Sequence, residues 1–225
     1  EKNDFMLSQM NSLTQFHLKN CSEYRTLMQK FGSINHSYDL LLDIPFLPVR
    51  LFKYTDLISV EKKDIVKTMT SSGTSGQSVS KIFLNKETSS LQIKVLSKIM
   101  ADFIGKKRVP MLVIDTKSII SNREKITART AGVLGFSIFG RDVEFALDDD
   151  MSINYERVES FIKKYESENI LIFGFTFVIW KNFVLELEKN DKKLNLYKGT
   201  LFHGGGWKKL ENQSVDTIEF NNRIL

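Results

Sequence analysis

The chain has 225 residues, 42% hydrophobic and 11% aromatic, enough apolar side chain for a sizeable core and too much for a disordered segment. Its net charge of +5 suggests polyanions, but the lysines are mixed with acids, as in "KKYESE" and "ELEKNDKK", the pattern of solvated helix faces, so no nucleic-acid partner is expected. No apolar run reaches the roughly 20 residues of a membrane span, no secretory leader is expected, and the single cysteine, Cys21, cannot form an internal disulfide, so a cytoplasmic setting is expected.

In chain order, the first thirty or so residues read as helices, with "CSEYRTLMQKFG" stopping at Gly32. "DIPFLPVRLFKYTDLISV" (43–60) holds two of the three prolines and reads as an irregular connector packed by Phe46, Leu47, Val49, Leu51 and Phe52. These pieces form an expected N-terminal segment, 1–60, ahead of an α/β core, 61–225. The core opens with a helix-like stretch, a hydroxyl-rich loop within "TMTSSGTSGQSVSKIFL" (68–84), and a strand, "KIFLN" (81–85).

A helix to about Ile104 follows, with Leu96, Ile99, Met100 and Phe103 on one face. "VPMLVIDT" (109–116) reads as a buried strand and "TARTAGVLGFSIFG" as a short helix and turn. "VEFALD" reads as a strand and "NYERVESFIKKYESE" as a helix burying Val158, Phe161, Ile162 and Tyr165. "NILIFGFTF" is the next strand, followed by a helix, "VIWKNFVLELEKN", with Trp180, Phe183, Val184 and Leu187 at the same spacing. "LYKGTLFHGGG" is a further strand running into glycines. Such alternation indicates an α/β fold with a largely parallel sheet flanked by helices and a helical N-terminal segment.

Three stretches stand out chemically. In the first, Gly73 and Gly76 allow positive φ and close backbone approach, while Ser71, Ser72, Thr74 and Ser75 add hydroxyl donors and Lys81 a mobile charge. That set suits a polyphosphate, although the stretch lacks the G-K-[ST] of a Walker loop and its composition also fits a flexible Ser/Gly connector. In the second, "LFHGGGWKKL", Gly204, Gly205 and Gly206 let something flat lie on the backbone, with Trp207 as a wall and Lys208 or Lys209 toward phosphate. A strand-end bulge beside a core tryptophan fits equally. In the third, Gly174 and Thr176 sit at a strand-to-helix junction, where open α/β sheets bind ligands, with Phe175 and Phe177 either pocket or core. His17 and His36 lie apart from these stretches, and Cys21 reads as a packing residue. The "DDD" at 148–150 resembles a metal cluster but equally an acidic approach to a helix, so metal ligands stay open.

With the three stretches in this order, the sequence resembles the adenylate-forming (ANL) superfamily, whose phosphate loop reads approximately [ST]-[ST]-G-[ST]-[ST]-G followed by a basic residue. "SSGTSG" (71–76) matches every position. Within it the chain is most similar to the LuxE-type acyl-protein synthetases, through "IPFLPVRLFK", "SSGTSGQ" and "HGGGWKK", over residues 38–210. The resemblance implies ATP- and Mg²⁺-dependent activation of a fatty carboxylate to an acyl-adenylate. The acyl group then passes to an enzyme cysteine and onward to an acceptor such as a reductase. It implies that Ser71, Ser72, Gly73, Thr74, Ser75 and Gly76 hold the β- and γ-phosphates and that Lys81 balances their charge. Gly204, Gly205 and Gly206, with Trp207, would border the adenine and acyl-adenylate, and Gly174, Phe175 and Thr176 the acyl group, with His203 catalytic beside them.

The sequence departs from that pattern in reading "QSVSK" where the superfamily loop ends in x-P-K. It also ends before the Y-G-x-T-E-like motif, the C-terminal domain and the acyl-accepting cysteine of such enzymes, so the N-terminal portion of a larger enzyme is expected, one that is weakly active or inactive alone. An acyl- or aryl-CoA ligase and a non-catalytic nucleotide-binding module are the alternative readings.

Overall fold

The computed structural model describes residues 1–31, 37–70, 78–121, 127–207 and 214–224. The chain divides into two compact units, Glu1–Val95 and Leu96–Leu225. In the first, α1 (Lys2–Asn20) gives way at an extended Cys21 to α2 (Ser22–Lys30). Cys21 is buried, and its sulfur accepts the Tyr24 N–H at 3.4 Å, so it caps α2 as well as packing. The connector holds short 3₁₀ turns at Leu41–Asp43 and Val49–Lys53. Two of its expected anchors are not packed: Phe46 is 89% exposed and Val49 76%, while Leu47, Leu51 and Phe52 are half-buried. Phe46 lies between the two turns and Val49 only opens the second, whereas Leu51 and Phe52 sit within it.

The stretch expected to be helix-like is instead a strand, β1 (Ile65–Thr70), paired antiparallel with β2 (Lys81–Asn85). Its β-branched residues, Ile65, Val66, Thr68 and Thr70, favour that outcome. The expected strand at 81–85 is present, but it belongs to this separate hairpin and not to the parallel sheet.

α3 (Lys86–Ile104) begins in the first unit and ends in the second. Its inward face is Leu96, Met100 and Ile104, whereas Ile99 is 49% and Phe103 59% exposed. The buried stripe is therefore rotated from the expected one. Leu96, Met100 and Ile104 repeat at i, i+4 and i+8, and Ile99 and Phe103 lie beside that row.

The second unit is built on a four-stranded parallel sheet in the order β4-β3-β5-β6, from β3 (Val109–Thr116), β4 (Gly140–Leu147), β5 (Ile170–Phe175) and β6 (Gly199–Gly204). Between them lie α4 (Ala128–Ser137), capped by Thr127, and α5 (Tyr155–Lys164), capped by Asn154. One continuous helix joins β5 to β6: α6 (Thr176–Val178), a π-helical stretch (Ile179–Val184) and α7 (Leu185–Lys189). α8 (Thr217–Ile224) comes last. The fold is thus α/β, a parallel sheet flanked by helices with a helical N-terminal segment.

Right-handed crossovers put α4 on one face of such a sheet and the helices after β4 and β5 on the other. The contacts agree. Phe136 of α4 stacks on Phe173 at 4.3 Å, while Ile179 lies against Gly174 on the opposite face. Of the residues that the spacing places on the inner faces of α5 and the β5–β6 helix, Val158, Phe161, Tyr165, Trp180, Phe183 and Val184 are buried, while Ile162 and Leu187 are half-buried. The chain reverses its direction of travel across the sheet between β3 and β5, and the carboxyl ends of these strands flank the crevice where open α/β sheets bind ligands.

Candidate functional site

Three chain segments meet around that crevice. β5 ends in Gly174 and Phe175, and Thr176 opens the helix that follows. In register on β6, Gly174 pairs with His203 and Phe175 with Gly204. Thr176 is buried, and its Oγ1 lies 3.0 Å from His203 Nδ1, 3.0 Å from the Gly205 carbonyl oxygen and 3.3 Å from that of Gly204. One hydroxyl thereby ties β5 to the glycine bend after β6. His203 is exposed at its outer side, with the Phe220 ring of α8 at 4.9 Å. Burial of part of the ring pushes its pKa below the ordinary histidine value, favouring the neutral form.

The glycines do different jobs. Gly205 has φ +79°, and a side chain there would meet Phe175 at 2.9 Å, so the bend requires it. At Gly204 and Gly206 an added Cβ would meet no described atom within 4 Å, so among the described residues the backbone on either side of the bend is approachable. Gly174 is different again. A Cβ there would lie 2.9 Å from Ile179 and 3.1 Å from Ile114, so its missing side chain makes room for protein packing. Phe175 is buried, and Trp207 packs edge-on to Trp180 at 5.7 Å and to Phe220 at 6.1 Å.

Sequence reasoning missed a second feature of the crevice. Asp115, near the end of β3, is fully buried and accepts both Nε (3.0 Å) and Nη2 of Arg129, from the first turn of α4. The Thr116 N–H bonds the same carboxylate at 2.8 Å, and the Arg129 guanidinium lies over the Phe177 ring at 5.7 Å. An acid closing the apolar run "VPMLVIDT" was the available signal, because a buried carboxylate demands a cation.

The hydroxyl-rich loop, Ser71, Ser72, Gly73, Thr74, Ser75 and Gly76, lies outside the described residues, as do His36, Lys208 and Lys209. What is visible is the hairpin that carries the loop: Thr70 and Lys81 are direct register partners at its ends. Lys81 Nζ lies 3.5 Å from Asp56, an exposed pair of the kind worth little. His17 bonds Ser59 at 2.6 Å in the first unit, remote in sequence from the glycine bend. In the "DDD" stretch, Asp148 accepts from Asn154 and Arg157, and Asp150 from Ser152. Among the described residues no group of three or more His, Cys, Asp or Glu side chains is arranged to hold a metal ion, and no helix is long and apolar enough to cross a membrane.

The family model described as "Acyl-protein synthetase, LuxE" matches residues 1–225. The chain is similar to two proteins named long-chain-fatty-acid–luciferin-component ligase. That of Aliivibrio fischeri is 26% identical over 216 residues, covering 93% of this chain and 55% of the relative. That of Vibrio harveyi is 24% identical over 221 residues, with the same coverage of 93% and 55%. A third protein of that name, from Photorhabdus luminescens, is 37% identical over 60 residues, 27% of this chain and 51% of the relative. The chain spans about half the length of the relatives it matches.

Proposed function

Because the chain belongs to the LuxE acyl-protein synthetase family, we propose that it is the nucleotide- and acyl-binding part of an adenylate-forming ligase, in the wider ANL superfamily. In this reading a fatty carboxylate oxygen attacks the α-phosphorus of ATP and pyrophosphate leaves. The thiolate of an enzyme cysteine, its proton lost to solvent, then attacks the acyl carbon of the acyl-adenylate, and AMP leaves as the thioester forms. The observation that carries the reading is the open backbone at Gly204 and Gly206, held beside Thr176 and His203 at the carboxyl end of the parallel sheet. An approachable glycine bend at that place suits a flat base and an acyl-adenylate.

The loop from Ser71 to Gly76 is assigned the β- and γ-phosphates on its donor-rich composition. Two anions must meet in this reaction, so the work is charge neutralisation and alignment, and a cradle of N–H and O–H groups stabilises the departing pyrophosphate. Lys81 anchors one end of the loop's hairpin, and its loose pair with Asp56 leaves the ammonium able to swing toward phosphate. Mg²⁺ is assigned to the ATP phosphates, the usual habit of that ion. Phe175 and Thr176 are assigned to the acyl side, with Gly174 supporting them through packing. The long-chain fatty acid in the relatives' names makes such an acid the first substrate to try. An acyl-accepting protein such as a reductase is the proposed partner on the family resemblance alone.

The test is carboxylate-dependent exchange of pyrophosphate into ATP, run with the full natural protein and a panel of fatty and aromatic acids. Exchange that depends on a fatty acid is expected. Nucleotide binding with no exchange under any acid would replace this reading with a non-catalytic nucleotide-binding module, and thioester formation on free coenzyme A with a CoA ligase. Substituting Ser72→Ala and Thr74→Ala together is expected to weaken ATP binding by roughly tenfold or more, the loss of one or two hydrogen bonds to a charged acceptor. Unchanged affinity in a folded double variant would remove the loop from the phosphate site.

A further inference from the structure

The Thr176 hydroxyl has a single proton and three neighbours: His203 Nδ1 at 3.0 Å, the Gly205 carbonyl at 3.0 Å and the Gly204 carbonyl at 3.3 Å. Carbonyl oxygens only accept, so the proton is committed to that side. The hydroxyl then presents its lone pairs to Nδ1, and a bond forms only if Nδ1 carries a hydrogen. In the opposite arrangement the proton would point at a bare Nδ1 and the lone pairs would face two carbonyl oxygens, a repulsion that buried Thr176 could not relieve with water.

We propose that Thr176 is a positioning residue that fixes neutral His203 as the Nδ1–H tautomer, leaving the Nε2 lone pair as an acceptor for a nucleoside N–H or O–H group at the glycine bend. No described residue bonds Nε2, and the ring is exposed on its outer side. The ring's other described contact is the uncharged Phe220, and burial favours the neutral form. A neutral ring in this tautomer offers no donor at Nε2. Carboxylate and phosphate oxygens, which only accept, are repelled by it, whereas the amino or hydroxyl group of a nucleoside is attracted. The ligand half of the proposal rests on the adenylation reading; the tautomer half does not.

Nitrogen-resolved NMR of the full natural protein, labelled with ¹⁵N in its histidine rings and assigned through His203→Gln, tests both halves. A pyrrole-like Nδ1 and a pyridine-like Nε2 are expected at neutral pH. Thr176→Ser should preserve this state, and Thr176→Val should move the population toward Nε2–H. A pyrrole-like Nε2 in the unsubstituted protein overturns the lock outright, even if Thr176→Val does not fold. So does an unchanged tautomer in a folded Thr176→Val. Adding adenosine should shift the Nε2 resonance while it stays unprotonated, with binding roughly tenfold weaker in His203→Leu, the loss of one hydrogen bond. An Nε2 signal that ignores adenosine, or that responds to a fatty carboxylate by becoming protonated, overturns the ligand half. Failure of the adenylation reading would appear separately, as absent pyrophosphate exchange with the tautomer still locked.

Discussion

Single side chains around the crevice separate residues that hold the fold from residues free to serve a ligand. Asp115 is a buried carboxylate whose charge is met by Arg129 and whose oxygens also accept the Thr116 N–H. Arg129→Met would leave that charge uncompensated. A loss of about 3–5 kcal/mol is expected in denaturant unfolding, whereas replacing both partners by apolar residues should cost much less. The glycine bend makes a similar contrast. Gly205→Ala combines a positive φ with a 2.9 Å approach to Phe175, and is expected to destabilise by about 1–3 kcal/mol. Gly204→Ala meets no described atom within 4 Å, so its folding should be nearly unaffected while nucleotide affinity falls. Equal loss of stability in the two variants would show that the bend serves packing alone. The sequence displays three like glycines; their different duties arise from Phe175 lying under only one of them.

Among the elements, α3 shows what periodicity leaves open. The spacing predicts Leu96, Ile99, Met100 and Phe103 on one inward face, but the buried row is Leu96, Met100 and Ile104. Met100→Ala is expected to cost about 2–5 kcal/mol and Ile99→Ala less than about 1 kcal/mol, a contrast that thermal unfolding would register. A helix this rich in apolar side chains has two candidate stripes, and its neighbours choose between them. The helix from Thr176 to Lys189 adds a second lesson. Its π-helical stretch begins three residues after Thr176 and presses Ile179 into the gap at Gly174. Gly174→Ala should therefore loosen the seating of this helix on β5, at a cost of about 1–3 kcal/mol. The strand-to-helix junction was legible in "IFGFTF"; the widened turn was not, because no residue type specifies it.

Across the whole molecule, acid should act in two stages. His17 and His203 both have pKa values pushed below the ordinary 6.5 by burial, so at mildly acid pH the unfolded chain binds more protons than the folded one. Their contribution is complete above about pH 6.5 and is lost as pH falls through the folded values. Glu188, held below the usual carboxylate range by its hydrogen bond to Arg223, loses its contribution only at lower pH, around and below about 4. Tm measured from pH 7.5 to 5 should decline, and His17→Gln with His203→Gln should flatten that decline; an unchanged slope would rule the histidines out. By itself the sequence determined the α/β class, the order of elements from α3 to β6, most of the buried residues among them and the family-like motifs, because those follow from periodicity and local residue type; α8 (Thr217–Ile224) went unread. Only the tertiary structure decided that residues 65–70 pair as a strand, that the sheet runs β4-β3-β5-β6, that Arg129 answers Asp115, and that Thr176 reaches both His203 and the glycine bend. Each of these joins residues well separated along the chain, from Thr70 with Lys81 to Met111 with Leu171. No local pattern encodes which distant partner will satisfy a buried polar group or a strand edge.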